Sequence, residues 1–229
     1  MLKLYDYELS GNCYKVRQLL AWLGVEAKHI PVDFHPGREH KSPRFLRDVN
    51  AAGQIPVIDD GGFILRDAQA ILVYLCAKFD ISNRWHPAQP RLRGEVALWL
   101  TIAEDITRTA SAARLHDALG YPCDIESCRS GAYRVFESME DHLSARGSGA
   151  WLVGSSPTIA DLACFPYVAL AGEGGVSLDA YPALRSWVWN FRYLPGFIGM
   201  AGILKPERDL GAVPVRSSAI GPSNTTESS

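Results

Sequence analysis

Apolar and polar positions alternate from Leu2 to Tyr7, in Leu-Lys-Leu-Tyr-Asp-Tyr, as a half-buried strand requires. A break at Ser10-Gly11-Asn12 follows, and Val16, Leu19, Leu20 and Leu23 then recur at helical spacing until Gly24 stops them. Val25 to Val32 reads as a second strand. These pieces make a β-α-β unit, which implies a parallel strand pair joined by a right-handed crossover. The segment His35 to Lys41 is polar, contains Pro36-Gly37, and predicts a loop; Phe45, Leu46 and Val49 predict a short helix behind it.

The stretch from Gly53 to Leu75 carries the strongest pattern. Ile55, Val57 and Ile58 form a β-branched run, Asp59-Asp60-Gly61-Gly62 supplies turn chemistry, and Phe63-Ile64-Leu65 returns as a partner strand. Pro56 cannot donate to a sheet ladder, so it belongs at the strand start. With a cis bond at that proline, the Ile55 backbone would turn outward and pair with an extended peptide. Asp67 is a natural helix cap, and Ala68, Ile71, Leu72 and Leu75 follow at helical spacing. The N-terminus of that helix is suited to a carboxylate.

From Asp80 to Pro90 the composition shifts to Ser, Asn, Arg, His and Pro, a linker signal. Beyond it the pattern is helical. Leu92 to Leu119 predicts one or two long helices, Ala132 to Leu143 another, Ile159 to Leu170 a third, and Tyr181-Pro182 opens a further one through Trp187, Val188 and Phe191. Thr158 followed by Asp161 has the capping-box form directly before an apolar run. The reading divides the chain into an α/β domain at 1–79, a linker at 80–90, an all-helical domain at 91–205, and a Ser/Thr/Pro/Gly tail at 206–229 expected to be disordered from about Gly211. Asn224-Thr225-Thr226 fits a glycosylation acceptor, unused in a chain that is not secreted.

Composition then narrows the function classes. The chain has 229 residues, 47% hydrophobic and 21% charged, enough for two domains with cores. A net charge of -2 gives no electrostatic case for nucleic acid. No apolar run reaches membrane-spanning length, and Asp6 and Glu8 come too early for a signal peptide, so a cytoplasmic location is expected. The five cysteines stand in no CxxC or zinc spacing, which suits reduced thiols and implies no metal. Gly172-Glu173-Gly174-Gly175 lacks the strand and the Lys-Ser/Thr of a phosphate loop, so no nucleotide is implied.

The Gly53 to Leu75 pattern resembles the glutathione-binding half of cytosolic glutathione transferases, with their x-(Val/Ile)-Pro loop and Leu-x-(Glu/Gln)-Ser-x-Ala-Ile-x-x-Tyr-Leu. Leu65, Ala70, Ile71, Tyr74 and Leu75 match that motif, and the Thr158/Asp161 box extends the resemblance to about 200 residues. The resemblance implies the glutathione transferase fold: a thioredoxin-like α/β domain followed by an all-α domain. It implies glutathione as co-substrate, a small hydrophobic electrophile as second substrate, and a homodimer. Asp67 is shorter than the usual Glu or Gln, and Ala68 stands where Ser is usual. A lost hydrogen bond to a charged group is worth roughly 1.5–3 kcal/mol, so weaker glutathione binding is expected.

Ser10-Gly11-Asn12-Cys13 opens the first helix, where a dipole and free N–H groups favour an anion. The resemblance gives Ser10 the role of hydrogen-bond donor to the glutathione thiolate; capping the helix is the other reading. Asn12 either orients the sulfur or makes the turn. Cys13 reads first as a packing residue and second as a redox thiol. Tyr5 and Tyr7 read as core or rim packing. His40 falls where theta-like members place a histidine against the glycyl end of glutathione, and Lys41 would pair with that carboxylate; both are otherwise solvated loop residues. Gln54, Ile55 and Pro56 would meet the peptide backbone, and Asp67 and Ala68 the γ-glutamyl end. Trp99, Glu104, Arg108, Arg114 and His116 could face the cleft, with core or surface duty as the default reading. Beside transferase chemistry stand two alternatives: glutathione-dependent disulfide exchange or peroxidase chemistry, and a non-catalytic binding module.

Overall fold

The computed structural model describes residues 1–203, and the expected tail and its Asn224 lie outside the described residues. The chain opens with β1 (Leu2–Asp6), α1 (Gly11–Leu23) and β2 (Lys28–Pro31), continues through α2 (Pro43–Asp48), and returns as β3 (Val57–Asp60), β4 (Phe63–Arg66) and α3 (Ala68–Phe79). The sheet order is β2-β1-β3-β4. β1 and β2 are parallel, with Leu4 opposite His29, whereas β3 runs antiparallel to both β1 and β4. This is the expected β-α-β unit followed by the Gly61-Gly62 hairpin.

The second strand is shorter than the Val25–Val32 pattern suggests. Gly24 takes a left-handed conformation (φ 64) and the Val25 N–H folds back onto the Leu20 carbonyl, so the first residues after α1 are spent closing the helix. The polar loop before α2 contains a helical turn, Glu39–Lys41, and His40 within it is buried.

The helical part comprises α4 (Pro90–Ile106), a π-helical turn at Thr107–Ser111, α5 (Ala112–Leu119), α6 (Ile125–Arg146), α7 (Ile159–Ala169) and α8 (Pro182–Arg192). The expected long helix over Leu92–Leu119 is thus continuous but carries a π turn, a feature that redirects side chains and recurs at functional sites. α6 starts seven residues before Ala132, capped by Asp124, whose Oδ1 accepts the Ser127 N–H at 3.1 Å. α7 is nearly all buried and packs between α1, α4 and α8, so one continuous core joins Leu4 and Leu19 to Phe165, Trp187 and Phe191. The connecting segment is held by Asp80, whose carboxylate accepts the N–H groups of Arg84 (3.0 Å) and Trp85 (2.7 Å), while Trp85 stacks on Trp22 at 4.0 Å. Among the described residues no helix is long and apolar enough to cross a membrane.

Candidate functional site

A cleft of about 540 Å³ lies between the sheet edge and the helices. Ser10, Asn12, His40, Lys41, Gln54, Ile55, Pro56, Asp67 and Ala68 all line it, so segments far apart in sequence converge there. From the helical side come Glu104, Thr107, Ser111, Arg114, Leu115, Ala118, Leu119 and Tyr167.

Its floor is the start of α1. Ser10 caps that helix, with Oγ accepting the Cys13 N–H at 3.2 Å. The cap uses a lone pair of Oγ and not the hydroxyl proton, so capping and donation are compatible in one side chain, and the Cys13 side chain is one acceptor within its reach. The Asn12 N–H donates to the Tyr167 hydroxyl at 3.1 Å, and Asn12 Oδ1 is buried without a protein partner. Tyr167 reaches this point because residue 11 is glycine: a Cβ there would stand 2.6 Å from its ring. Burial raises the Tyr167 pKa, against which hydrogen bonds from Ser111 and the Asn12 backbone act. Behind the ring, fully buried Lys15 places Nζ 5.3 Å from the ring centre, and desolvation lowers its pKa to about 8.

Cys13 points away from the cleft. It is fully buried with Val32, Phe45 and Ile55, and desolvation, followed by the field of Asp6, pushes its thiol up to about 12. Disulfide exchange needs a reachable thiolate, so Cys13 is a packing residue. Tyr7 lines the cleft but stacks on Phe34 at 5.4 Å, and burial raises its pKa as well.

One end of the cleft is cationic. His40 is 2% exposed, stacks on Phe34 at 4.1 Å, and desolvation, followed by the charges of Lys41 and Arg38, lowers its pKa to about 4, so it is neutral. The charge at this end therefore belongs to Lys41 and Arg38. Lys41 Nζ donates to the carbonyls of Gly53 (2.8 Å) and Ala52 (3.3 Å), which fixes the turn that presents Gln54. Gly53 is required at that turn, with φ 58 and no room for a Cβ against the His40 carbonyl at 2.7 Å. The Ile55–Pro56 peptide is cis, and Ile55 lies just before the ladder that begins at Val57.

The other end is anionic. Asp67 sits at φ 75, ψ 125, a conformation that costs a non-glycine residue about 1–3 kcal/mol, and its Oδ1 accepts the Ala70 N–H at 2.9 Å. That cap leaves the N–H groups of Ala68 and Gln69 with no partner inside α3. Glu104 reaches the same end, with Oε2 accepting from Gln69 Nε2 at 2.9 Å. This end therefore places two carboxylates, Asp67 and Glu104, beside the N-terminal N–H groups of α3.

Among the helical candidates, Glu104 and Arg114 reach the cleft; Arg114 Nη1 donates to the Leu9 carbonyl at 2.8 Å and its Nε to Glu173, which ties α5 to the β1–α1 loop. Trp99 is buried against His142, Arg108 is exposed beside Glu104 and Asp105, and His116 pairs with Asp117. Tyr167, Ser111 and Thr107 were not predicted. The one hint of Tyr167 in the sequence is Gly11, a helix-breaking residue in a helix start, which signals a close approach without naming what approaches.

Comparison with known proteins agrees with this geometry. Residues 4–85 match the model of the glutathione S-transferase N-terminal domain, and residues 122–188 that of its C-terminal domain. The chain is 33% identical to maleylacetoacetate isomerase of Rhizobium meliloti, over 79% of this chain and 86% of the relative. It is 28% identical to mouse glutathione S-transferase theta-2, over 81% of this chain and 78% of the relative. A glutathione S-transferase structure from Pseudomonas fluorescens superposes with TM-score 0.78 at 30% identity, covering 87% of this chain and 98% of that one. The glutathione transferase URE2P6 of Phanerochaete chrysosporium, in complex with oxidized glutathione, gives TM-score 0.74 at 25% identity, covering 85% and 92%. With both domain models matched in order and 33% identity to a relative over 79% of its length, this chain belongs to the glutathione S-transferase family.

Proposed function

We propose that this chain binds glutathione in the cleft, ionises its thiol in front of α1, and transfers the thiolate to a small apolar electrophile. The observation that carries this reading is Ser10: its hydroxyl lines the cleft at a helix N-terminus, and capping Cys13 occupies a lone pair of its oxygen rather than its proton. A thiolate at that point accepts from Ser10 and is favoured by the helix dipole. An ordinary thiol has a pKa of about 8.5, and each unit of depression corresponds to about 1.4 kcal/mol. A shift of one to two units leaves the bound thiol largely ionised near neutral pH.

The polarity of the cleft suits the rest of the tripeptide. The α-ammonium of the γ-glutamyl group faces Asp67 and Glu104, and its carboxylate faces the N–H groups of Ala68 and Gln69. Gln54 and the Ile55 backbone meet the peptide beside Pro56. The glycyl carboxylate faces Lys41 and Arg38, with neutral His40 as a hydrogen-bonding wall. Leu115, Ala118 and Leu119 offer an apolar surface to the electrophile, whose desolvation on that surface contributes roughly 25 cal/mol per Å². A cytoplasmic homodimer with a role in detoxification is the accompanying expectation; Phe63 and Ile64, half-exposed on edge strand β4, are consistent with a covered face.

The test is the ultraviolet thiolate absorbance of glutathione, titrated with pH in the presence of the protein and of Ser10→Ala. A bound thiol that ionises one to two units below the free one, with that gain lost in the variant, is the expected result. Absence of a bound thiolate at saturating glutathione overturns transferase chemistry and leaves the family's scaffold as a binding module.

A further inference from the structure

The five cysteines fall into two groups. Cys13, Cys76 and Cys164 are buried, and desolvation raises all three thiols, Cys13 and Cys76 to about 12. Cys123 and Cys128 are both partly exposed. They are also neighbours by construction. Asp124 is the N-cap of α6, so Cys123 occupies the position before the cap and Cys128 the fourth helical position. Helix-start geometry packs those two side chains against each other, the arrangement of a hydrophobic staple. Their sulfurs lie against carbonyls one helical turn apart, Cys123 Sγ on Ala112 at 3.9 Å and Cys128 Sγ on Arg108 at 3.8 Å. A staple is ordinarily built from apolar residues; here both members are thiols.

We propose that Cys123 and Cys128 form a redox-active dithiol that glutathione disulfide oxidises to an intramolecular disulfide. The pair follows Tyr121 and Pro122, which line the cleft, and the Tyr121 ring stacks on Phe34 at 5.6 Å. Oxidation cross-links the end of this cleft-lining loop to the first turn of α6.

Cys123 directly follows the cleft-lining Pro122 and so attacks first, and Cys128, whose thiol is raised by burial and then by its hydrogen bond with Cys123, resolves the mixed disulfide. The Cys123 thiolate bonds to one sulfur of glutathione disulfide, the S–S bond breaks, and one glutathione leaves as a thiolate that takes up the proton Cys123 released. Cys128 then loses its proton and attacks Cys123 Sγ; the Cys123–Cys128 bond forms and the second glutathione leaves, protonated in turn. Two protein thiols are oxidised, and one glutathione disulfide is reduced to two glutathione molecules.

The oxidant is taken from the glutathione reading of the cleft, but the product is read on the two cysteines themselves. The reduced full-length chain is incubated with glutathione and glutathione disulfide at graded ratios, quenched with acid, unfolded, alkylated and mapped by peptide mass spectrometry. Wild type is expected to lose two alkylatable thiols and to yield one peptide that carries the Cys123–Cys128 bond. Cys128→Ser is expected to stop at a mixed disulfide on Cys123, and Cys123→Ser to form no disulfide at residue 128 under the same conditions. The proposal is overturned if wild type keeps both thiols or if it accumulates glutathione on Cys123 without closing. A cleft that fails to ionise glutathione leaves this result unchanged, so the two failures are separable.

Discussion

Two helices in this protein begin with the same chemistry and do opposite things with it. At α7, Thr158 and Asp161 form a reciprocal capping box, and Asp161 also accepts from Leu152 N (2.9 Å) and Trp187 Nε1 (2.9 Å), all of it buried. At α1, Ser10 caps Cys13 through Oγ, but the side-chain Oδ1 of Asn12 remains without a protein partner, and the cap opens on a cleft. In the first case every polar atom is consumed by the fold. In the second, polar capacity is left over on the wall of the cleft, and that surplus distinguishes this helix start from the structural one.

The sharpest way to break the comparison is Asp161→Ala. Four buried donors, Leu152 N, Thr158 N, Thr158 Oγ1 and Trp187 Nε1, would lose their acceptor, each unmatched group costing about 1–3 kcal/mol, partly relieved by relaxation. A loss of roughly 3–5 kcal/mol in urea unfolding is expected, enough to leave the chain marginal. Because burial raises the Asp161 pKa above its unfolded value, the contribution of this group is fully present below the unfolded pKa and declines as pH rises through the folded one. A variant as stable as wild type would mean that the box is ornamental.

Gly11→Ala comes next. Helix propensity alone favours alanine by about 1 kcal/mol. The new Cβ would meet the Tyr167 ring at 2.6 Å, and overpacking of this kind costs about 1–3 kcal/mol, so a net loss is expected. Glutathione binding, measured calorimetrically, is expected to weaken with it, because Tyr167 holds the Asn12 backbone. Stabilisation instead would show that Tyr167 yields easily and is not a fixed part of the site.

Ser10→Ala and Thr158→Ala sharpen the contrast as a pair. Loss of a cap costs about 1 kcal/mol, up to about 2 in a buried setting, so Thr158→Ala is expected to cost more fold stability than Ser10→Ala. The order reverses for function: Ser10→Ala is expected to lower transfer of glutathione to a generic aryl halide by roughly ten- to a hundredfold, the worth of one hydrogen bond to a charged group. Thr158→Ala, corrected for folded fraction, is expected to leave the rate near wild type. Equal kinetic effects would remove the distinction between the two caps.

The sequence made the two caps legible for the same reason, since each is written within four consecutive residues. The hairpin, α3 and the β-α-β unit are local in the same sense, and Gly24, Gly61 and Gly62 punctuate them. Legibility fails where a side chain crosses the cleft. Tyr167, Ser111 and Arg114 meet the α1 region from about a hundred residues or more away, and nothing in helical spacing separates Arg114, which reaches it, from Arg108, which faces solvent. The π turn at Thr107–Ser111 explains part of this, because it shifts the facing of every residue after it. His40 shows a further limit: its sequence reads equally as a group against the glycyl end of glutathione or as a solvated loop residue, and only the packing of Phe34 reveals that it is buried and neutral.

That difference yields the smallest and most local effect. A histidine whose folded pKa is depressed to about 4 favours the fold while it is neutral. Its unfolded value is near 6.5, so the stabilisation is fully present above that pH and is lost as pH falls from about 6.5 toward about 4. Unfolding midpoints in urea are therefore expected to decline over that window, on top of the losses from carboxylates at lower pH. His40→Gln keeps a neutral hydrogen-bonding side chain and has nothing to protonate, so its stability is expected to change less than wild type between pH 6.5 and 5. Glutathione affinity at pH 7 is expected to differ little, since the charge at that end of the cleft belongs to Lys41 and Arg38. A steep loss of affinity in His40→Gln, matched by Lys41→Met, would instead make the pair act together on the glycyl carboxylate and would place His40 among the binding groups rather than in the wall behind them.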